Sequence, residues 1–161
     1  MIRRGEEYAR ETLAMLHHRL GYGKDGTVWE SDRDTAIKVF RTPEPFERER
    51  AVYERLRERG VMSVAGFSIP QLVRVDERLM VVEMTIVTRP FVLDFGSAYL
   101  DGSGPEFPEE IMAEWLADTR EKFGARWGRA VSVLRGLERL GIQLTDVHPG
   151  NIGFADDGGD A

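Results

Sequence analysis

A chain of 161 residues, 42% hydrophobic and 31% charged, has the length and composition of one domain with a sizeable core, or at most one and a half. The net charge of −6 disfavours a nucleic-acid or anionic-membrane partner, no apolar run is long enough to span a bilayer, and the Met-Ile-Arg-Arg start lacks a secretory leader's apolar stretch, so a cytoplasmic location is expected. Zero cysteines exclude disulfide and thiol chemistry, three histidines argue against zinc, and nineteen Arg against three Lys single out Lys24, Lys38 and Lys122.

Residues 6–18 place Ala9, Leu13 and Leu16 on one helical stripe, which predicts a packing helix with His17 and His18 at its solvated end. Leu20-Gly-Tyr-Gly-Lys-Asp-Gly-Thr-Val-Trp-Glu30 and Thr35-Ala-Ile-Lys-Val-Phe40 then predict strand, glycine-rich turn, strand, polar turn, strand. Gly21-x-Gly23-x-x-Gly26-x-Val28 suits a turn that covers phosphates, because backbone N–H groups approach phosphate oxygens closely where no Cβ intervenes. A plain glycine-rich hairpin is the other reading. A dinucleotide-binding turn needs a helix directly after its last glycine, and the strand-like Thr-Val-Trp-Glu excludes it. On the third strand Thr35, Ile37 and Val39 form one face, and Ala36, Lys38 and Phe40 the other. A lysine flanked by apolar residues is costly to bury unless it meets an anion, which a nucleotide's phosphates would supply; otherwise it snorkels to water from an edge strand.

Pro45 opens a helix over 46–59 that is mostly charged. At about 100° per residue, Phe46, Glu49, Tyr53 and Leu56 share one face, so one carboxylate points inward, toward Lys38 or toward a neighbouring Arg. Residues 61–75 lead into a strand, and 79–83 reads as the last strand of a sheet before a connecting segment. Pro90-Phe-Val-Leu-Asp-Phe-Gly is an apolar strand ending at Asp94; a core strand with a simple turn is the alternative. A loop at 101–105 precedes a helix begun by Pro108, with Ile111, Met112, Trp115, Leu116 and Thr119 on one stripe, broken at Lys122-Phe-Gly. A second helix over 126–140 carries Trp127, Ala130, Val131, Leu134 and Leu137, and Gly141 stops it. Both stripes are expected in the core. The segment Leu144-Thr-Asp-Val-His-Pro-Gly-Asn-Ile-Gly-Phe154 is a short loop able to aim two oxygen-bearing side chains into one cleft. Asp146 could take or orient a hydroxyl proton and the Asn151 amide oxygen could ligate magnesium, with Pro149 stiffening the turn and Gly150 letting it bend.

In this order and at this spacing, over about residues 18–155, the glycine turn, strand lysine, helix glutamate, connecting segment and Asp…Asn loop resemble the protein-kinase-like superfamily. Asp-Val-His-Pro-Gly-Asn-Ile is more similar to aminoglycoside and other small-molecule kinases, which share a His at the place of His148, where Ser/Thr protein kinases carry Lys. Two departures stand out. Leu144 occupies the place of the family's His before the Asp, and Asp94-Phe-Gly, similar to the family's metal-binding triplet, comes about fifty residues before the loop instead of after it.

The resemblance implies an α+β, reduced kinase-like fold: a small antiparallel β lobe with one helix and a preceding helix (1–84), then a shortened, mostly helical lobe (85–161). It implies ATP and Mg2+ between the lobes. Gly21, Gly23, Gly26 and Val28 would cover the nucleotide and Ala36 would lie beside adenine. Val82 would be the gatekeeper, with the backbone of Glu83 and Thr85 along the adenine edge. Lys38, held by Glu49, would steady the α/β-phosphates, Asn151 and Asp94 would hold the metal, and Asp146 would orient the acceptor hydroxyl. The activity implied is phosphate transfer to a hydroxyl of a small molecule or protein. The displaced triplet and Leu144 favour an alternative, a nucleotide-binding pseudokinase or scaffold, and a helix-rich interaction protein with chance motifs is a third reading.

Overall fold

Period-two alternation in the N-terminal half produces a sheet clad on both faces. The computed structural model describes residues 1–158. Helix α1 (Ile2–Thr12) is followed by β1 (Leu16–Tyr22), β2 (Gly26–Ser31) and β3 (Thr35–Phe40), then α2 (Pro43–Glu58), the short β4 (Ser63–Val64) and β5 (Phe67–Ser68), β6 (Leu72–Asp76) and β7 (Val81–Thr85). Strands β1, β2, β3, β7 and β6 form, in that order, an antiparallel five-stranded sheet. Tyr8 of α1 packs with Ile37, Val39, Leu79 and Val81 on one face. On the other face Phe46, Val52, Tyr53 and Leu56 of α2 meet Ala36, Phe40, Val82 and Met84. The two faces of β3 therefore divide as its alternation requires, Ile37 and Val39 against Ala36 and Phe40.

The second half holds β8 (Phe91–Val92), β9 (Ala98–Leu100), α3 (Glu109–Phe123), α4 (Trp127–Glu138), β10 (Ile142–Leu144) and β11 (Ile152–Gly153). Strand β11 pairs antiparallel with β8, which runs parallel to β5, while β10 pairs antiparallel with β9. Phe67, Phe123 and Phe154 interlock edge to face at the centre of this half, where such contacts add to simple burial. The architecture is α+β, with an antiparallel sheet half and a mostly helical half.

Several boundaries differ from the sequence expectation. The first helix ends at Thr12 instead of continuing to 18: Leu13 takes a left-handed φ of 57°, the Ala14 N–H donates back to the Ala9 carbonyl, and Leu16 onward is captured by β2. The stripe through Leu13 is therefore not buried; Leu13 is 85% exposed, and Gly5, Tyr8 and Ala9 make the contact instead. His18 faces Glu30 across the strand pair at 3.0 Å. Helix α2 begins two residues before Pro45, with Pro43 in its first turn, a position that needs no N–H partner. The last strand of the sheet starts at Val81, because the Asp76 carboxylate accepts from the Leu79 N–H and Met80 turns at φ 51°. Gly124 ends α3 at φ 53°, whereas α4 stops at Glu138 and is capped by Arg139, before Gly141 turns at φ 75°.

Candidate functional site

Lys38 is where burial and charge meet. It lies on the α2 side of β3, opposite Val28 of β2 and Val82 of β7, and only 7% of it is exposed. Its ammonium donates to Glu49 Oε2 at 2.6 Å and to Asp94 Oδ1 at 2.9 Å. Glu49 is 1% exposed, whereas the Asp94 side chain is half exposed. Burial alone would drive the proton off Lys38, but the two carboxylates outweigh it and hold the ammonium above its ordinary value. Complete burial pushes Glu49 up to about 7 against the pull of Lys38, with the charges of Asp94 and Asp25 adding to the rise. Burial also opposes ionisation of Asp94, yet Lys38 and the Gly96 N–H hold it below its ordinary range. The inward carboxylate of α2 thus meets the strand lysine and not a neighbouring Arg.

Asp94 reaches this pair because of how its loop is tied. Phe95 is fully buried and stacks edge to face on Tyr53 at 5.4 Å, and Arg48 of α2 donates to the Gly96 carbonyl at 2.8 Å. Asp94 itself sits at φ 62°, a conformation an Asp tolerates better than most residues. The loop around Asp94 is fastened to the loop around Asp146 at both ends. Strand β8 before Asp94 pairs with β11 after Asn151, and β9 after Asp94 pairs with β10 before Asp146. Between these ladders the Leu93 N–H donates to the Asn151 carbonyl at 2.8 Å, and the Thr145 hydroxyl to the Ser97 carbonyl at 2.7 Å.

The Asp146–Asn151 turn is stitched from within. The buried Asn151 accepts from the His148 N–H at 3.0 Å and donates its amide to the Asp146 carbonyl. His148 Nδ1 accepts from the Gly150 N–H at 3.0 Å, and a Cβ on residue 150 would lie 2.7 Å from the imidazole. Gly150 is thus required for the ring to fold over its own turn, a more specific reason than bending alone. The Asp146 carboxylate is 65% exposed, 3.7 Å from His148 Nε2.

A cleft of about 290 Å³ gathers much of this set. Leu20, Gly21, Val28, Ala36 and Met84 line it together with Lys38, Glu49 and Asp94 and with His148, Gly150 and Asn151 of the turn. Thr85, Ile86 and Val87 complete the wall where β7 ends. The sequence-predicted Lys38, Glu49, Asp94, Asn151, Gly21, Val28, Ala36 and Thr85 therefore share one hollow, and Asp146 stands beside it through its neighbours in the turn.

Other expected positions lie elsewhere. Glu83 is corrected: its backbone is inside the sheet, paired with Ile37 on one side and Arg74 on the other. Its carboxylate points to the α1 face, where the hydroxyls of Tyr8 and Thr35 each donate to it at 2.6 Å. The shift of β7 by two residues carries the segment after the sheet past Glu83, so Ile86 and Val87 take the place at the cleft. Val82 is fully buried beneath Lys38, and Met84, opposite Ala36, supplies the cleft wall where Val82 was expected. Gly26 faces β3, not the cleft: a Cβ there would lie 2.3 Å from the Val39 carbonyl oxygen, so this glycine permits close strand pairing. Gly23 sits at the turn with nothing within 4 Å of a built Cβ. The motif alone does not show where His148 points; its bond to Gly150 does.

A strand lysine paired to an inward glutamate of the helix beside the sheet, over a cleft closed by a second, helical half, decides the architecture. The fold is α+β, an antiparallel sheet half beside a mostly helical half, with the Lys38–Glu49 pair in the cleft. No protein-family model and no curated protein matches the sequence. Among solved structures, the chain is similar to an ADP-bound aminoglycoside phosphotransferase APH(2'')-Ib at a TM-score of 0.45 and 13% identity, covering 92% of this chain and 41% of that one. It is also similar to a gentamicin–APH(2'')-IIa complex at 0.45 and 13%, covering 91% and 40%, and to a streptomycin–ATP–APH(2'')-IIa ternary complex at 0.44 and 13%, covering 83% and 38%. The chain spans about two-fifths of the length of these proteins.

The residues present suit a hard cation. The Asp94 carboxylate and the Asn151 amide are oxygen donors in one cleft, and magnesium commonly takes one or two protein oxygens and fills its shell from phosphates and water. Each is partly engaged, Asp94 by Lys38 and Asn151 by the His148 N–H, and each has lone pairs to spare.

Proposed function

We propose that this chain binds ATP with magnesium in the Lys38 cleft and transfers the γ-phosphoryl group to a hydroxyl, on a small molecule or on a protein. The observation that carries the reading is the Lys38 ammonium clamped between Glu49 and Asp94 inside a cleft that also holds Asn151. A buried cation fixed by two carboxylates is ready to meet phosphate oxygens without reorganising, and in phosphoryl transfer positioning and charge neutralisation do nearly all the work. Ala36, Val28, Leu20 and Met84 offer apolar walls for a base, and Thr85, Ile86 and Val87, which also line the cleft, would lie along its edge. Lys38 would hold the α- and β-phosphates. Asn151 and Asp94 would hold the metal, which neutralises phosphate charge when bound. Asp146, exposed at the end of the turn, would accept a hydrogen bond from the acceptor hydroxyl and take its proton as the new O–P bond forms and the β–γ bridge breaks.

A thermal shift with ATP tests binding: magnesium-dependent stabilisation is expected in the wild type and not in Lys38→Ala. Turnover tests the chemistry. Phosphate release or transfer is expected from the wild type and is expected to vanish in Asp146→Ala with binding retained. The second reading, a nucleotide-binding scaffold, is favoured by Leu144 in place of the expected His and by an Asn151 oxygen already engaged by its own turn. Binding with no turnover across a broad panel of hydroxyl acceptors would decide for it.

A further inference from the structure

The glycine turn carries a charge of the wrong sign for a simple phosphate cover. Between β1 and β2 the turn closes with the Gly23 N–H donating to the Gly26 carbonyl at 2.9 Å. Gly23 and Lys24 at its tip are exposed, while Asp25 is half-buried, turned under the loop. A Cβ built on Gly96 would lie 3.2 Å from Asp25 Oδ2, 3.3 Å from Glu49 Oε2 and 3.5 Å from Asp94 Oδ1. Three carboxylate groups, from the turn, from α2 and from the Asp94 loop, therefore converge on one face of Gly96. Among the described residues, the only cation bonded to two of them is Lys38, already shared.

The stem of the turn is fixed in this pose. The Arg41 N–H donates to the Asp25 carbonyl at 2.7 Å, and the Arg41 guanidinium reaches the Lys24 carbonyl at 3.3 Å and the Tyr22 hydroxyl at 3.2 Å. The cleft's volume of about 290 Å³ is at the small end of the range of roughly 300–1,000 Å³ usual for ligand sites.

We infer that Asp25 is a specificity-determining residue of the nucleotide site, which makes the cleft discriminate against free polyphosphate anions and accept the nucleotide as its divalent-metal complex. The inference rests on the nucleotide reading above. Phosphate oxygens approaching Lys38 would meet Asp94 in the cleft wall, with Asp25 close by at Gly96, and like charges repel strongly where water is scarce. A metal-complexed nucleotide brings less negative charge to the same place, so the penalty from Asp25 falls mainly on the uncomplexed form. Asp25 is neither a metal ligand nor a proton carrier in this account; it acts by charge alone.

The test is the ratio of ATP dissociation constants measured with EDTA and with excess magnesium, by calorimetric or fluorescence titration, in wild type, Asp25→Asn, Asp25→Ser and Glu58→Gln. Glu58, exposed at the last turn of α2, removes the same formal charge from a site far along the helix from Glu49. Both Asp25 variants are expected to tighten metal-free binding by about tenfold or more, while changing the magnesium-saturated constant by less than about threefold. Glu58→Gln is expected to leave the ratio at the wild-type value. An unchanged ratio in both Asp25 variants, or an equal change in Glu58→Gln, overturns the inference and leaves nucleotide binding intact. Absence of ATP binding in every protein and condition overturns the nucleotide reading itself, and the role of Asp25 with it.

Discussion

Helices α2 and α3 are nearly equal in length, 16 and 15 residues, and their compositions point opposite ways from their burial. The charged α2 buries Pro45, Phe46, Glu49, Val52, Tyr53 and Leu56. The more apolar α3 buries only Thr119 and Phe123, and leaves Ile111, Met112 and Leu116 between 39 and 49% exposed. Together with Trp115, Trp127 and Leu134 these side chains frame a groove of about 360 Å³ beside α4. Periodicity shows which side of a helix is apolar; it does not show what stands opposite. Helix α2 lies against the sheet, whereas the side of α3 that carries Ile111 and Leu116 has no layer over it among the described residues.

The contrast can be broken by mutation, and the largest effect belongs to the inward carboxylate. Glu49→Ala leaves Lys38 buried with only Asp94 beside it and is expected to lower stability by about 3–5 kcal/mol in a denaturant titration. An effect near zero would mean that the pair is not buried as described. Next comes Leu56, 2% exposed against the core, where Leu56→Ala is expected to cost about 2–5 kcal/mol by the same measurement.

A smaller signature is the tilt of stability with pH. Glu49 has a folded value of about 7 against an ordinary 4.5, so the uncharged form favours the native state. Its contribution is whole below the ordinary value and is lost as pH rises through about 7. Relative to Glu49→Gln, the wild type is therefore expected to lose stability between pH 5 and pH 8, and parallel profiles for the two proteins would contradict this. Smallest of all, Leu116→Ala on α3 is expected to change stability by about 0.5 kcal/mol or less, as at other exposed positions. A loss comparable to that of Leu56→Ala would show that α3 is covered after all.

The same contrast explains what could be read from the chain. The two faces of β3 and the inward side of α2 were legible because strand and helix periods are set by the backbone, whatever surrounds them. Lys38 and Glu49 stand out as charged side chains on buried faces, each needing a partner, and the resemblance is what pairs them with each other. The Asp146–Asn151 turn was legible from its residue types, although the fold of His148 onto Gly150 was not, because that contact depends on a close approach no pattern encodes. Leu13 and Leu16 continue the stripe of the first helix and so predict too long an element, while pairing of Leu16 with Ser31 overrides local preference. The resemblance puts the backbone of Glu83 at the cleft, whereas its pairing with Ile37 and Arg74 keeps it inside the sheet.

One arrangement reaches beyond these particulars. The peptide around Asp94 and the peptide around Asp146 are clasped at either side by the β8–β11 and β9–β10 ladders, each end of one to the opposite end of the other. Their spacing is then a property of the clasp, indifferent to which of the two the ribosome makes first. A circular permutant opened in the exposed loop at 101–105, with the old termini joined by a flexible linker long enough to bridge them, would be expected to reassemble the same cleft from a reordered polymer.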